Sequence, residues 1–185
     1  MNVVHIVPAI AEESSGPSYS VPMLCEALIR QGNEVTLTAL EWSGGRTLPY
    51  LKTFPSNTWL PRLGASRALH AWLREQAGGG RLHLMHNHGM WQMNSLYPGW
   101  VCRKCPCLLV VSPRGAFSPW AMAHGSRAKK LFWKTMQRPA LAVASCFHAT
   151  SESEYEDIRR LGFRQPVAVI PNGIDVPERG VLHAA

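Results

Sequence analysis

The segment from Ser145 to Pro177, SCFHATSESEYEDIRRLGFRQPVAVIPNGIDVP, constrains the fold more than any other stretch of the chain. Cys146-Phe147-His148-Ala149 is a short apolar run and reads as a buried strand. Thr150 and Ser151, with Glu152 and Glu154 behind them, make a helix N-cap signature: a hydroxyl accepts from orphan backbone N–H groups, and the acids suit the positive end of the helix. The helix runs through Tyr155, Ile158 and Leu161, carries Arg159 and Arg160 in its last turn, and stops at Gly162. Val167 to Ile170 reads as a second buried strand, ended by the turn residues Pro171-Asn172-Gly173. Strand, helix and strand in so short a span form a parallel crossover, which commits the chain to an α/β sheet.

The rest of the chain repeats that logic. Val3 to Val7 is a continuous apolar run, expected to be a central strand covered on both faces. After a small, polar loop (Ala9 to Ser20), Val21, Leu24, Cys25, Leu28 and Ile29 fall at helical spacing, and Gln31-Gly32-Asn33 ends that helix. Val35 to Leu40 is the next strand. This βαβ opening has no G-x-G-x-x-G, which argues against a nicotinamide or flavin enzyme. Trp42 to Leu63 reads as loop with one short strand near Thr53-Phe54. A helix over Ala65–Ala77, a strand over Leu82–His86, a helix over Gln92–Arg103, a strand over Leu108–Val111 and a helix over Arg127–Arg138 complete the pattern. The expected fold is a doubly wound, mainly parallel, Rossmann-like α/β sheet in one domain.

A chain of 185 residues can bury roughly 70% of its unfolded surface, and 46% hydrophobic residues suit a globular protein. The net charge of +7 favours anionic partners: phosphorylated substrates, an acidic membrane surface or nucleic acid, the last unsupported by any binding signature. The N-terminus lacks the basic region of a signal peptide, and no apolar run has the length to cross a bilayer, so a cytoplasmic protein is expected. Cys102, Cys105 and Cys107 form a Cys-x2-Cys-x-Cys cluster, short of the four ligands of a structural zinc unless His83, His86 and His88 complete it. The simpler reading is a helix end entering a buried strand, with no metal.

In open α/β sheets ligands bind beyond the carboxyl ends of the strands. Four polar loops lie there: Ala9–Ser20, Asn87–Trp91, Ser112–Trp120 and Thr150–Glu154. His88 can orient a hydroxyl or donate to a phosphate near neutral pH. Arg114, between Pro113 and Gly115, can present a fork to phosphate or carboxylate. Gly115 allows close backbone approach, and Trp91 offers an aromatic face or a core residue. Trp120 and His124 lie on the loop that follows and can line a pocket there. On the following helix, Arg127, Lys130, Lys134 and Arg138 form one basic stripe, beside the more apolar Leu131, Phe132, Thr135 and Met136. That stripe reads as a solvated helix edge or as a surface for anionic lipid at the inner membrane face.

Three segments carry a resemblance: MHNHGMWQ, SPRGAFSPWA and HATSESEYEDIRRLGFRQPVAVIPNGIDVP. Together they resemble the N-terminal domain of a family 4 glycosyltransferase of the two-domain GT-B fold. The likeness is strongest from His86 to Asp175 and negligible from Thr47 to Ala65. It implies that His88 faces the interdomain cleft and, with Arg114, positions the transferring sugar and the leaving phosphate. Gly16 and Ser18 on the first loop, Trp91, Gly115, Trp120 and His124 would bind substrate. Where the family often shows two adjacent glycines, this chain has Ser15-Gly16.

The resemblance further implies a domain over residues 1–177 and a short linker over 178–185, leading to a donor-binding half that carries the paired glutamates of the family. The complete enzyme would move a sugar from a nucleotide-sugar to a hydroxyl with retention of configuration and no metal or other cofactor, in polysaccharide or glycolipid synthesis. Two other readings stay open: a non-catalytic subunit that binds acceptor, membrane or a separate donor-binding chain, and an inactive remnant.

Overall fold

A computed structural model of the protein describes residues 1–10, 16–41, 47–56 and 63–173. The expectations for 11–15, for 42–46 and 57–62 within the Trp42–Leu63 loop, and for the linker at 178–185 lie outside these described residues. In chain order the elements are β1 (Asn2–Ile6), α1 (Gly16–Arg30), β2 (Glu34–Leu40), β3 (Leu51–Phe54), α2 (Arg67–Gly78), β4 (Leu84–His88), α3 (Tyr97–Cys102), β5 (Leu108–Ser112), α4 (Pro119–Ala123), α5 (Arg127–Phe132), α6 (Arg138–Leu141), β6 (Cys146–Ala149), α7 (Glu152–Arg160) and β7 (Val167–Val169).

The seven strands form one sheet in the order β3-β2-β1-β4-β5-β6-β7, and every adjacent pair is parallel. The order reverses between β1 and β4, the position where doubly wound sheets open a crevice at their carboxyl edge. Val4, Ile6, Met85, Leu109, Val111 and Phe147 belong to the larger core, shared with Leu69 and Leu73 of α2, Val101 of α3 and Ile158 of α7. On the opposite face Val21 and Cys25 of α1 pack against Val7, Val35, Leu37 and Ala39. The α2–α3 layer is close enough to its neighbours that a Cβ on Gly99 would stand 2.1 Å from the carbonyl oxygen of Ala140.

Several boundaries differ from the sequence reading. α1 begins at Gly16, so Gly16 and Ser18 stand in its first turn and not on a loop; Pro17 suits that turn because it has no N–H to leave unpaired. Ile29 is 39% exposed, on the outer side of the helix. β4 runs two residues later than expected, ending at His88, while His83 is exposed. The expected helix over Gln92–Arg103 is a 3-10 turn (Met93–Ser95) followed by α3, which Pro98 enters in its first turn. The expected helix over Arg127–Arg138 is α5 and α6 joined by a π-turn at Trp133–Gln137.

The burial expected for two strands is also corrected. β7 is an edge strand, with Val169 36% and Ile170 58% exposed, and Leu108 at the start of β5 is 53% exposed. Side chains alternate across a strand, so with Leu109, Val111, Phe147 and Ala149 in the larger core, Leu108, Val110, Cys146 and His148 face the α1 side. There α1 packs on β1 and β2, and the strip over β5 to β7 is only partly covered.

Candidate functional site

β4 and β5 end side by side, with His88 opposite Ser112 and His86 opposite Val110; β1 brings His5 opposite His86. Period-two alternation therefore places His5, His86, His88, Ser112 and His148 on the α1 face, at its carboxyl edge. His5, His88 and Ser112 are fully buried, and His86 nearly so.

Hydrogen bonds order these rings. The Ile170 carbonyl accepts from His148 Nε2 at 2.9 Å, which places the His148 proton on Nε2. A neutral ring then accepts at Nδ1 from the Ser112 hydroxyl at 2.8 Å, and the Ser112 oxygen accepts from His86 Nε2 at 2.8 Å. A second chain starts at Arg114, whose Nη2 donates to His88 Nδ1 at 3.4 Å; His88 Nε2 then donates to His5 Nδ1 at 2.9 Å. The remaining His5 Nε2–H is buried without an acceptor among the described residues. Burial lowers the His5 pKa to about 4, with the Arg114 charge adding to the effect. His86 and His88 are pushed well below the ordinary imidazole value, first by burial and then by the neighbouring histidines and Arg114. His148 is lowered chiefly by burial. The rings are therefore neutral near pH 7, and Arg114 is the cation of the cluster.

Arg114 is held in an unusual way. It and Gly115 both adopt left-handed backbone, at φ 53° and 75°. A non-glycine residue there costs on the order of 1–2 kcal/mol and persists only when its surroundings fix it. α7 supplies the fixing contacts. Its N-cap Ser151 accepts from Glu154 N, and Glu154 turns back so that one carboxylate oxygen accepts from Thr150 N and Oγ1 while the other accepts from Gly115 N. At the other end of the loop Arg160 donates to the Phe117 carbonyl at 2.8 Å. The Arg114 side chain donates to Asn172 Oδ1 through Nη1. Its Nε–H is buried and has no acceptor among the described residues. Burial lowers the Arg114 pKa, and the Glu154 carboxylate works against that.

Arg114, His148, Asn172 and Gly173 form the upper end of a cleft of about 210 Å³, whose sides are Met23, Leu24 and Ala27 of α1 and Ile170-Pro171 after β7. Of the eight residues singled out from sequence, Arg114 reaches this cleft, Gly115 adjoins it, and His88 lies behind Arg114. The expectation that His88 opens on the cleft is corrected: it is the last residue of β4 and its side chain is fully covered. Gly16 is exposed, with nothing near a Cβ, and Ser18 is buried in α1. Trp91, also left-handed at φ 70°, donates its N–H to Gln137 Oε1 of the π-turn, packs on Trp133 and lies under the Lys129 ammonium, so it belongs to the helical layer. Trp120 and His124 stack on each other at the surface, away from the cleft lining.

His5, Ser112, His148, Glu154 and Asn172 are the residues that sequence reasoning missed. Glu154 has a local signal, the S-x-x-E spacing from Ser151, which by itself indicates only helix-terminal charge. His5, Ser112 and His148 join the cluster through pairing between distant strands, and Asn172 meets Arg114 from the turn after β7; neither leaves a local pattern.

The donor nitrogens of His5, His86 and His88 lie within 4.8 Å of one another. His5 Nδ1 and His88 Nε2 share a hydrogen bond, and Arg114 adds positive charge beside these rings. The cysteines do not join this group. Cys107 precedes β5, whose Leu108 pairs with Leu84, so Cys102 and Cys107 meet at 3.0 Å at the amino edge of the sheet, while His86 and His88 lie at its carboxyl edge.

The sequence from residue 15 to 173 matches the family model described as a glycosyl transferase 4-like domain. No curated protein matches it. Among solved structures, a sucrose-phosphate synthase chain from Thermosynechococcus elongatus superposes with a TM-score of 0.56 at 17% identity, over 94% of this chain and 90% of that one, a likeness of fold. With the family model spanning the crossover segment, the Arg114 loop and β4, the chain belongs to the glycosyl transferase 4-like family.

Proposed function

We propose that this domain forms one wall of a sugar-transfer site, in an enzyme that moves a sugar from a nucleotide-sugar to a hydroxyl acceptor in polysaccharide or glycolipid synthesis. The observation that carries the reading is Arg114: a guanidinium fixed on strained backbone at the carboxyl edge of a parallel sheet, where it lines the cleft. A phosphate oxygen of the donor in that cleft would meet the guanidinium, and a preorganised cation there stabilises the charge that develops on the leaving diphosphate. Arg114 is the candidate catalytic residue. His88 touches no open space and is a positioning residue: its neutral Nδ1 holds the guanidinium from behind. The partly covered strip over β5 to β7 and the exposed Ile170 favour a second protein wall beside the cleft, whether from the same polypeptide or from a partner chain.

Titration of the purified chain with nucleoside diphosphates and nucleotide-sugars, followed by NMR, tests the reading. The expected result is weak binding that moves the resonances of Arg114, His148 and Asn172 and disappears in Arg114→Ala. Shifts confined to other surfaces, or unchanged binding in Arg114→Ala, would remove Arg114 from the site.

A further inference from the structure

We propose that the corner formed by α4 and α5 is a docking surface for an anionic lipid bilayer, an assignment that stands independently of the transfer reaction. Between Glu75 and Glu152 the chain has no Asp or Glu at all, yet it carries nine Lys and Arg there. All 12 acids lie outside this span. The fold gathers part of that charge on one helical run: Arg127, Lys130, Lys134 and Arg138 are all exposed. None of them forms an ion pair among the described residues, where the one bridge found is Arg160 to Asp157 on α7.

Large apolar side chains stand exposed in the same field. Leu131, between Lys130 and Lys134, is 63% exposed, and Trp120 on α4 is 69% exposed. Lys129 is folded inward: its ammonium donates to the carbonyls of Ala121 at 2.6 Å and His124 at 3.0 Å and lies 4.1 Å from the centre of the Trp91 ring. That lysine ties the end of α4 to α5, and Ser118 and Ser126 cap the two helices. Basic side chains with an exposed Trp and Leu are the composition of an interfacial membrane contact, in which the cations meet lipid phosphates and the apolar groups enter the headgroup boundary. Charge alone would serve nucleic acid equally well. Leu131 has no use against a phosphate backbone, and His124 is stacked on the Trp120 ring at 4.6 Å; these two features favour lipid.

Flotation of the purified chain with vesicles of phosphatidylcholine, alone or mixed with phosphatidylglycerol, tests the assignment. Binding is expected only with the anionic lipid, and it should be lost near 1 M salt, where the screening length falls to about 3 Å. Lys130→Glu with Lys134→Glu should weaken partition by roughly tenfold or more. Trp120→Ser with Leu131→Ser should also weaken it, with circular dichroism unchanged in both double variants. Absence of flotation, equal flotation with neutral vesicles, or wild-type partition of either folded double variant overturns the proposal. So does an oligonucleotide that binds the chain tightly without needing Trp120 and Leu131 and displaces it from the vesicles, since that would make the corner a general polyanion surface.

Discussion

His88 and Arg114 meet through a single ring nitrogen: His88 Nδ1 accepts from the guanidinium at 3.4 Å, while the opposite nitrogen of the same ring donates to His5 at 2.9 Å. The arrangement works only while His88 is neutral, because a protonated ring would point an N–H at a cation. Burial keeps it neutral. A fully covered histidine thus aligns a partly buried arginine.

Substitutions at the two positions should separate these roles. In a transferase that contains this domain, Arg114→Ala is expected to lower turnover by roughly two to three orders of magnitude, as loss of a preorganised charge-stabilising group does, with little change in melting temperature. His88→Ala should lower turnover and also cost roughly 1–3 kcal/mol of stability, because it leaves His5 Nδ1 and the space behind Arg114 without a partner. Thermal melts beside initial rates decide the matter. Normal turnover in Arg114→Ala, or an unchanged melt in His88→Ala, contradicts the assignment.

The buried histidines make stability depend on pH in one direction. Their folded pKa values lie below the ordinary value of 6.5, that of His5 at about 4. Between those values the unfolded chain takes up protons that the folded chain does not, so stability rises with pH there. It should be fully present above pH 6.5 and fall as the pH drops toward 4, His5 alone accounting for roughly 3 kcal/mol across the window. Denaturant titrations from pH 7.5 to 4 should show the decline, with a shallower slope in His5→Phe. A flat profile would mean that the rings are solvated or already charged.

The sequence made the sheet legible because its central strands are continuous apolar runs, and continuity marks a strand covered on both faces. The site was harder to read because its polar residues belong to those same strands. Met85-His86-Asn87-His88 looks like a strand running out into a loop, yet all four are buried. The two histidines are buried because His5, Ser112 and Arg114, remote in sequence, supply hydrogen-bond partners, while Asn87 donates to the carbonyls of Gly89 and Ser95. The π-turn at Trp133–Gln137 was equally hidden: it places Gln137 so that its amide oxygen accepts from Trp91 N and Ser95 Oγ, a tertiary requirement with no helical period.

Glu154 should control the Arg114 loop from outside it. Its carboxylate spans Gly115 N on one side and Thr150 on the other. Glu154→Ala is expected to raise amide hydrogen exchange at residues 114–117 at least several-fold and to reduce turnover with the donor KM little changed, while Glu154→Gln, which keeps an acceptor oxygen, recovers part of both. Exchange that stays at the wild-type level in Glu154→Ala would show that backbone packing, not this carboxylate, holds Arg114 in place.

For the sugar transfer proposed above, the cleft is too small and too open to serve alone. At about 210 Å³ it is smaller than the roughly 300–1,000 Å³ of pockets that enclose a drug-sized ligand, and a nucleotide-sugar is at least that large. One edge is α1 and the other is the exposed end of β7, so the cleft gives no means of excluding water from a glycosyl donor, which closure of a second wall would provide. The 185-residue chain is therefore expected to bind nucleotide-sugars weakly by calorimetry and to transfer sugar far below the usual enzyme range of about 1–1,000 per second. Joining it to a donor-binding domain should restore transfer, and Arg114→Ala should abolish the gain. Transfer at ordinary rates by the purified chain alone would sink this expectation, and it would place the donor site on surfaces outside the Arg114 cleft or between two copies of the chain.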